Sequence, residues 1–340
     1  MLSFQWFMFI FVALFLVFPS GNATLPRINP EKSKIICSTI YVDPSGGGNF
    51  TTIQAAIDSV PSSNQRWICI RIKQGVYREQ VLIPFDKPFI YLKGAGKRKT
   101  YVVWDAHDSI ATSATFTSQA DNIIAKSISF INSYNYPLYG SANPMRAAVA
   151  ALIQGDKSAF YRCGFFGLQD TLWDVQGRHY FRLCTIQGAV DFIFGSGQSL
   201  YEGCTISVVA GVLNGVPGYI TAQGRSTAEE TNGFVFKDCS ISGNGTTYLG
   251  RPWREYARVI FYNTSMSDII VPQGWDPWFS VGHESEITFA EDKCQGRGSD
   301  KSKRVKWEKK LNPDDLQLFI SNSYIDTDGW THKLPLNMLD

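Results

Sequence analysis

The chain repeats a short motif in which an aromatic residue is followed three positions later by cysteine and then by another hydrophobic residue. Four copies place the aromatic residue and the cysteine at Phe160 and Cys163, Phe181 and Cys184, Tyr201 and Cys204, and Phe236 and Cys239. The cysteines are therefore 21, 20 and 35 residues apart. A fixed repeat of about 20 residues is typical of a solenoid, and the longer third step indicates a loop insertion. Residues 261–264 form a further copy with threonine in the cysteine position.

Short runs rich in β-branched and aromatic residues precede the repeats, whereas helical periodicity is scarce. These runs lie at 67–72, 89–92, 101–104 and 123–130. The exception is 51–60, where apolar residues recur at helical spacing after Thr51 and Thr52, either of which could be the N-cap. A terminal coil needs such a cap because it would otherwise expose an apolar face. The sequence therefore predicts an all-β, single-stranded right-handed parallel β-helix (solenoid) with a short N-terminal capping helix.

The first 23 residues contain no charged side chain and end in small residues. This pattern predicts a signal peptide at 1–23, with the main domain at 24–340. A membrane anchor is the alternative, since the apolar run of about 17 residues approaches the lower limit for a membrane span. Glycosylation sequons at Asn22, Asn49, Asn244 and Asn263 fit a secreted, extracellular glycoprotein, although the first would straddle or leave with the signal peptide.

The charge balance of 32 basic and 30 acidic residues, with pI near 8.1, does not indicate a nucleic-acid-binding protein. A mildly basic secreted protein can still reside on an acidic polymer. The basic run at 301–310 is either a solvated face or a contact for such a polymer.

Seven cysteines and four histidines are present, without the Cys-x-x-Cys or His-Glu-x-x-His spacing of a zinc site. No metal or cofactor is therefore predicted. The stacked cysteines could be small buried hydrophobes, but secretion also permits disulfides. The first candidate for a disulfide is Cys204 with Cys239.

Two aspartates occupy the same position in successive repeats, because Asp170 and Asp191 each follow the repeat cysteine by seven residues. Neighbouring strands lie about 4.8 Å apart, so the two carboxylates should lie side by side on adjacent strands. Like charges at this distance favour one ionised and one protonated carboxyl group. One carboxylate could then attack a substrate while the other transfers a proton. A polar ladder or a calcium site is the alternative.

Three motifs around these aspartates resemble the signature sequences of plant pectinesterases (pectin methylesterases). They read Gln-Asp-Thr-Leu at 169–172, Asp-Phe-Ile-Phe-Gly at 191–195 and Leu-Gly-Arg-Pro-Trp at 249–253. Further family blocks match 75–79 and 221–225, so the resemblance covers nearly the whole mature chain. Since only a signal peptide fits before the catalytic domain, the chain resembles the form without the N-terminal inhibitor-like pro-region.

The resemblance implies an esterase of the cell wall that removes methyl esters from galacturonate units of pectin and releases methanol. Asp191 would be the nucleophile, Asp170 the proton donor and acceptor, and Gln169 the transition-state stabiliser. Arg251 would keep Asp191 ionised, since arginine does not lose its charge. Trp253 would stack on a sugar ring.

The resemblance also implies pectin (methylesterified homogalacturonan) as the partner, with proteinaceous pectinesterase inhibitors as further partners. We expect a monomer that binds no nucleic acid. Trp275 and Trp278 are weaker candidates for the substrate cleft, with core packing as the alternative.

One position departs from the family pattern, because Ala147 replaces a glutamine that would supply a second oxyanion donor. Loss of such a donor typically lowers the rate by about 10²–10³. A catalytically weakened pectin-binding wall protein is therefore one alternative function. A glycosidase or lyase is another, since paired carboxylates about 5 Å apart also suit retaining glycosidases.

Overall fold

A computed structural model describes residues 37–138 and 144–335. The predicted signal peptide and Asn22 lie outside these residues. The predicted parallel β-helix is confirmed, because the strands of the described chain form three parallel sheets.

The strands of each sheet, A, B or C, follow one another in chain order along the solenoid. Sheet A contains Ser38–Val42, Ile68–Ile72, Ile90–Gly94, Ile123–Lys126, Ser158–Tyr161, Arg178–Arg182, Gln198–Glu202, Gly233–Lys237, Arg258–Tyr262 and Thr288–Asp292. Sheet B contains Gly75–Tyr77, Thr100–Trp104, Ser129–Asn132, Gly164–Phe166, Thr185–Gly188, Thr205–Val209, Ser240–Asn244 and Ser265–Met266. Sheet C contains Val81–Ile83, Phe116–Ser118, Ala151–Ile153, Leu172–Asp174, Ile193–Gly195, Gly218–Gln223 and Thr247–Pro252.

Two α-helices and six 3₁₀-helices complete the described secondary structure. The α-helices are Ile53–Asp58 and Pro313–Ile320, and the 3₁₀-helices are Ala210–Leu213, Trp278–Ser280, Glu284–Glu286, Arg297–Ser299, Asn322–Tyr324 and Thr331–Lys333. From Ile68–Ile72 to Thr247–Pro252, each coil runs through one strand of sheet A, one of sheet B and one of sheet C, and returns to sheet A one level further along. Parallel crossovers of this kind are right-handed in nearly all proteins.

The repeat motif builds the interior of the coils. Its aromatic rings stack from one coil to the next, with centroid distances of 5.0 Å for Phe160–Phe181, 4.6 Å for Phe181–Tyr201 and 4.6 Å for Tyr201–Phe236. The residue before each repeat cysteine has a positive φ, from 51° at Arg162 to 61° at Gly203. This left-handed residue turns the chain sharply from sheet A into sheet B, so that both the ring and the cysteine point inward. The motif is therefore the sequence of one corner of the solenoid.

The predicted Cys204–Cys239 disulfide is wrong. Both thiols are free, and each donates to a main-chain oxygen of the preceding coil, Cys204 to Phe181 and Cys239 to Tyr201, at 3.3 Å. Stacked side chains point in the same direction and fill equivalent small slots, so the thiols remain buried hydrophobes. The disulfide of the described chain joins Cys37, just before the first strand of sheet A, to Cys69 on the second strand.

The predicted capping helix is Ile53–Asp58. Thr52 is its N-cap and accepts from the amide of Ala55 at 3.3 Å. The carboxylate of Glu79 accepts from the amides of Ile53 and Gln54 at 2.8 and 2.9 Å. Glu79 belongs to the family block at 75–79, so this block ties the cap to the first coils.

The C-terminal segment covers the outer face of sheet A. Phe319, Tyr324, Trp330 and Leu334 pack there against apolar side chains of successive strands. The basic run at 301–310 is not simply a solvated face, because Arg304 is buried and pairs with the buried Glu291 at 2.7 Å. Contact of its exposed lysines with an anionic polymer stays a prediction.

Candidate active site

Asp170 and Asp191 lie at the corner where sheet B turns into sheet C. They are in register, since Gln169 bridges to Val190 and Leu172 pairs with Ile193. They lie on the corner turns, whereas the sequence predicted them within adjacent strands. Their φ angles are 58° and 46°, in the left-handed region that aspartate tolerates better than most residues. Such backbone strain is often found at functional sites.

Arg251 reaches Asp191 from two coils further along sheet C. In that sheet Arg251 lies in register with Ala222, and Ala222 with Phe194. The arginine Nε donates to Oδ1 of Asp191 at 2.8 Å, and Nη2 donates to Oδ2 at 2.5 Å. This bidentate pair satisfies both carboxylate oxygens and fixes the carboxylate plane. The pairing of Arg251 with Asp191 that the resemblance implied is thus present.

The two carboxyl groups differ in their electrostatic surroundings. Burial and the charge of Asp191 raise the pKa of Asp170 to about 7, against a weaker opposing effect of Arg251. Burial also raises the pKa of Asp191, but the hydrogen bonds and charge of Arg251 oppose this rise. Because Arg251 bonds to Asp191 and acts on Asp170 only through its charge, Asp191 ionises first. Near neutral pH the site therefore holds a carboxylate beside a carboxylic acid.

Gln169 lies next to this pair, half-buried, and its side-chain amide makes no hydrogen bond with the described residues. Its N–H groups are available as donors to a ligand. Ala147 bridges to Gln169 from the preceding coil. A side-chain donor at 147 would therefore stand beside Gln169, and alanine supplies none.

Trp253 is an exposed aromatic residue of the site, at 37 % relative exposure. It follows Arg251 by two residues, and its ring packs edge-on against Phe194 at 6.0 Å. A Cβ on Gly224 would lie 3.0 Å from this ring, so glycine is needed there to seat the tryptophan. Trp253 thus has a ring accessible to a ligand, and its stacking on a sugar ring stays a prediction.

The two weaker tryptophan candidates have different positions. Trp275 is not a cleft residue, because it is 1 % exposed and stacks on Phe289 in the core at 4.5 Å. Core packing was the alternative interpretation of this residue. Trp278 does lie at the site, where its ring covers the guanidinium of Arg251 at 3.9 Å.

Tyr219 and Asp276 belong to the site but were not predicted from the sequence. The Tyr219 ring lies 4.0 Å from the Arg251 guanidinium carbon, and its hydroxyl donates to Asp276 at 2.9 Å. Asp276 stands between the two tryptophans singled out in the sequence, which was a signal for it. Tyr219 follows the loop insertion between the third and fourth repeats, so the simple cysteine count did not reach it.

The chain is a parallel β-helix, and its candidate site pairs a carboxylate bound by arginine with a protonated carboxyl group. These two features define the class of protein as a solenoid with an aspartate-based candidate hydrolase site. The pectinesterase family model matches residues 39–328. The chain is 57 % identical over 300 residues to "Probable pectinesterase 29" of Arabidopsis thaliana, which covers 87 % of this chain and 90 % of that protein. The chain belongs to the pectinesterase family, as its motifs predicted.

Solved structures agree with this assignment. A pectin methylesterase from carrot superposes with a TM-score of 0.80 at 31 % identity, over 86 % of this chain and 95 % of that one. A pectin methylesterase mutant in complex with a hexasaccharide superposes with a TM-score of 0.72 at 25 % identity, over 85 % and 97 % of the two chains.

Proposed function

We propose that this protein is an extracellular carboxylic-ester hydrolase that removes methyl esters from galacturonate units of pectin and releases methanol. Membership of the pectinesterase family supports the reaction, and the relative solved with a hexasaccharide supports a saccharide polymer as the ligand. The observation that carries the proposal is the pair of unequal carboxyl groups, Asp191 bound by Arg251 and Asp170 with a pKa raised to about 7.

The first half-reaction uses each group in its resting protonation state. The ionised Asp191 attacks the carbonyl carbon of the methyl ester, and the resulting oxyanion accepts a hydrogen bond from Gln169. The protonated Asp170 gives its proton to the methoxy oxygen as the C–O bond breaks. Methanol leaves, and the galacturonate carbonyl stays attached to Asp191 as an acyl anhydride.

The second half-reaction returns both groups to their starting states. Asp170, now a carboxylate, takes a proton from water as the water oxygen attacks the acyl carbon. The bond to Asp191 breaks, which frees the Asp191 carboxylate and a galacturonic acid unit, and this acid releases the second proton of the water to solvent to become a carboxylate. Asp170 again holds its proton. No metal or cofactor is needed in this sequence of steps.

Arg251 and Trp253 complete the proposed site. Arg251 keeps Asp191 in the nucleophilic form and fixes the direction of its lone pairs through two hydrogen bonds. Trp253 presents a partly exposed ring on the same side of sheet C, on which a sugar ring can stack.

Secretion, glycosylation and the partners remain part of the proposal. The sequon asparagines Asn49, Asn244 and Asn263 are all exposed, as glycan attachment requires. No helix of residues 37–138 and 144–335 is long and apolar enough to span a membrane. We propose that the protein is a secreted monomer that acts on wall pectin, and that proteinaceous pectinesterase inhibitors bind it.

Methanol release from methylated pectin tests the proposal, with the Asp191→Asn variant as the comparison. Asparagine tolerates the left-handed backbone of Asp191, so the variant should fold and lose the nucleophile alone. We expect methanol from the wild type, a rate lower by about 10⁴ or more in the variant, and unchanged polymer length. Equal, slow rates of methanol release in both proteins would refute the proposal that this protein is an enzyme.

Two other outcomes identify the alternatives. Chain cleavage would favour a glycosidase or lyase on the same scaffold. Pectin binding without methanol release would favour the weakened wall protein that Ala147 suggests, because this alanine lies in register with Gln169 and supplies no second donor.

A further inference from the structure

Arg251 is enclosed between two aromatic rings. Its guanidinium carbon lies 4.0 Å from the centroid of the Tyr219 ring and 3.9 Å from that of the Trp278 ring. The two rings make no contact with each other among the described ring pairs, so they lie on different sides of the guanidinium. Tyr248 stacks on Tyr219 at 5.2 Å and supports it from the next coil. The plane of the guanidinium is therefore fixed by packing as well as by Asp191.

Asp276 ties the two rings together. One of its carboxylate oxygens accepts from the Tyr219 hydroxyl at 2.9 Å, and the other accepts from the backbone amide of Trp278 at 2.7 Å. Its own amide donates to the carbonyl of Gly250 at 3.1 Å, next to Arg251 in sequence. The loop that carries Trp278 is thereby anchored to the strand that carries Arg251. We call Tyr219, Asp276 and Trp278 the arginine clamp.

The clamp surrounds an arginine that several negatively charged groups can bind. Asp191 is bound by Arg251, and it interacts electrostatically with Asp170 in the preceding coil and with Asp276 of the clamp. The charge of Asp276 acts on Asp191 and Arg251 alike. On the proposed function, the product also carries free galacturonate carboxylates. A carboxylate is the ideal partner for an arginine fork, so each demethylated unit is a competitor of Asp191 for Arg251.

We propose that Tyr219 and Trp278 are positioning residues that hold Arg251 on Asp191 and so protect the nucleophile from capture of its arginine by de-esterified product. The inference rests on the proposed function and deepens it. Two rings lie 4.0 and 3.9 Å from the guanidinium carbon, and two of the guanidinium nitrogens bond to Asp191. The cation can therefore turn toward a product carboxylate only if a ring moves. The clamp would let the enzyme continue on a polymer whose negative charge rises as it works.

The test compares Trp278→Ala and Trp278→Phe in the methanol-release assay. Without the ring, Arg251 should hold Asp191 less firmly, and the pKa of Asp191 should rise because Arg251 lowers it. We expect the acidic limb of kcat/KM against pH to move up by about one pH unit. Unesterified polygalacturonate should inhibit the variant about fivefold more tightly. Trp278→Phe keeps an aromatic face and should restore both properties.

Matched variants separate positioning from folding. Val281 lies in the same loop, is 70 % exposed and is not part of the clamp, so Val281→Ala should leave the pH limb and the inhibition unchanged. If Trp278→Ala does not fold, Trp278→Leu and Tyr219→Leu replace it, since each keeps apolar volume without a ring face. The clamp proposal would be wrong if a folded variant without the ring kept the acidic pH limb of the wild type and the same inhibition by polygalacturonate.

The two proposals fail in different ways. If the wild type releases no methanol, the proposed function fails before the clamp is tested. If the wild type is active and Asp191→Asn is inactive, but ring removal moves neither the limb nor the inhibition constant, the function stands and the clamp fails.

Discussion

Two aspartates near opposite ends of the strand Leu172–Asp174 have contrasting surroundings. Asp174 is the last residue of the strand, and Asp170 lies two residues before its start. At its end, Asp174 is fully buried, and its carboxylate bonds to His179 at 2.5 Å and to the Tyr201 hydroxyl at 2.6 Å. The other imidazole nitrogen bonds to the carbonyl of Gly155 at 2.9 Å. Four residues earlier, Asp170 is half-buried and makes no side-chain hydrogen bond with the described residues.

The difference separates a structural carboxylate from one that can react. Asp174 has a partner at each oxygen, so its charge is compensated and unavailable. Asp170 faces a second negative charge and little compensation, so its pKa rises to about 7 and its proton is available for transfer. In this solenoid, burial with hydrogen-bond partners leaves a carboxylate satisfied, and burial without such partners raises the pKa of a carboxyl group.

The largest expected effect on stability comes from Asp174, the fully buried aspartate. Replacing Asp174 with alanine leaves His179 and Tyr201 without their buried acceptor. We expect the free energy of unfolding to fall by about 3–5 kcal/mol, measured by denaturant titration. Asp108 is an exposed aspartate, and its replacement by alanine should change stability by less than about 0.5 kcal/mol. Similar small losses at both positions would remove the contrast.

At the second aspartate, Asp170→Asn should lower the rate of methanol release. Asparagine keeps the backbone geometry but cannot donate and recover a proton, so kcat for methanol release should fall by about 10²–10⁴. In the proposed mechanism, the leaving group needs protonated Asp170. The rate should therefore decline as pH rises through about 7. A basic limb that persists in Asp170→Asn would assign the titration to another group.

Ala147→Gln should sharpen the contrast between the two aspartates by adding a hydrogen-bond donor near Asp170. The position lies in register with Gln169, so an amide there can reach the same oxyanion. We expect kcat to rise by about tenfold or more. Ala147→Leu supplies similar bulk without a donor and should not raise the rate. If glutamine gives no gain, the missing donor does not limit turnover.

The smallest expected effect is on stability against pH. The pKa of Asp170 is higher in the folded state than in the unfolded chain, so folding favours its protonated form. Its ionisation therefore destabilises the fold, by an amount that grows as pH rises from about 4 to about 7. The full shift would correspond to about 4 kcal/mol, but Asp170 is partly exposed and solvent screens its charge. Asp170→Asn should therefore raise the free energy of unfolding by about 1–2 kcal/mol at pH 8 and by almost nothing at pH 4. An equal effect at both pH values would mean that charge is not the cause.

Much of the fold could be predicted from local pattern. The inward residues of a parallel solenoid recur once per coil, so the stacked rings of Phe160, Phe181 and Tyr201 and the cysteines beside them appear in the sequence as a period. The capping helix has its own apolar spacing and an N-cap at Thr52. The disulfide could not be read in this way. Cysteines that lie next to each other in register, such as Cys204 and Cys239, satisfied the spacing but pack as free thiols.

The candidate site could be predicted only in part. Asp170 and Asp191 share a repeat position, and the register of the coils brings them together. Asp276 and Trp278 lie in an irregular loop with no repeat, and Tyr219 follows an insertion, so no period connects them to Arg251. Their contacts depend on how that loop folds back over sheet C.

The sequence by itself determined the solenoid, the family and the two aspartates, because each follows from a residue type at a repeated position. Only the tertiary structure decided their unequal states. The pKa of a carboxyl group depends on its burial, on its neighbours' charges and on its hydrogen bonds. Arg251 comes 60 positions after Asp191 in the chain, yet it donates to that carboxylate at 2.8 Å, and Asp170 receives no such bond.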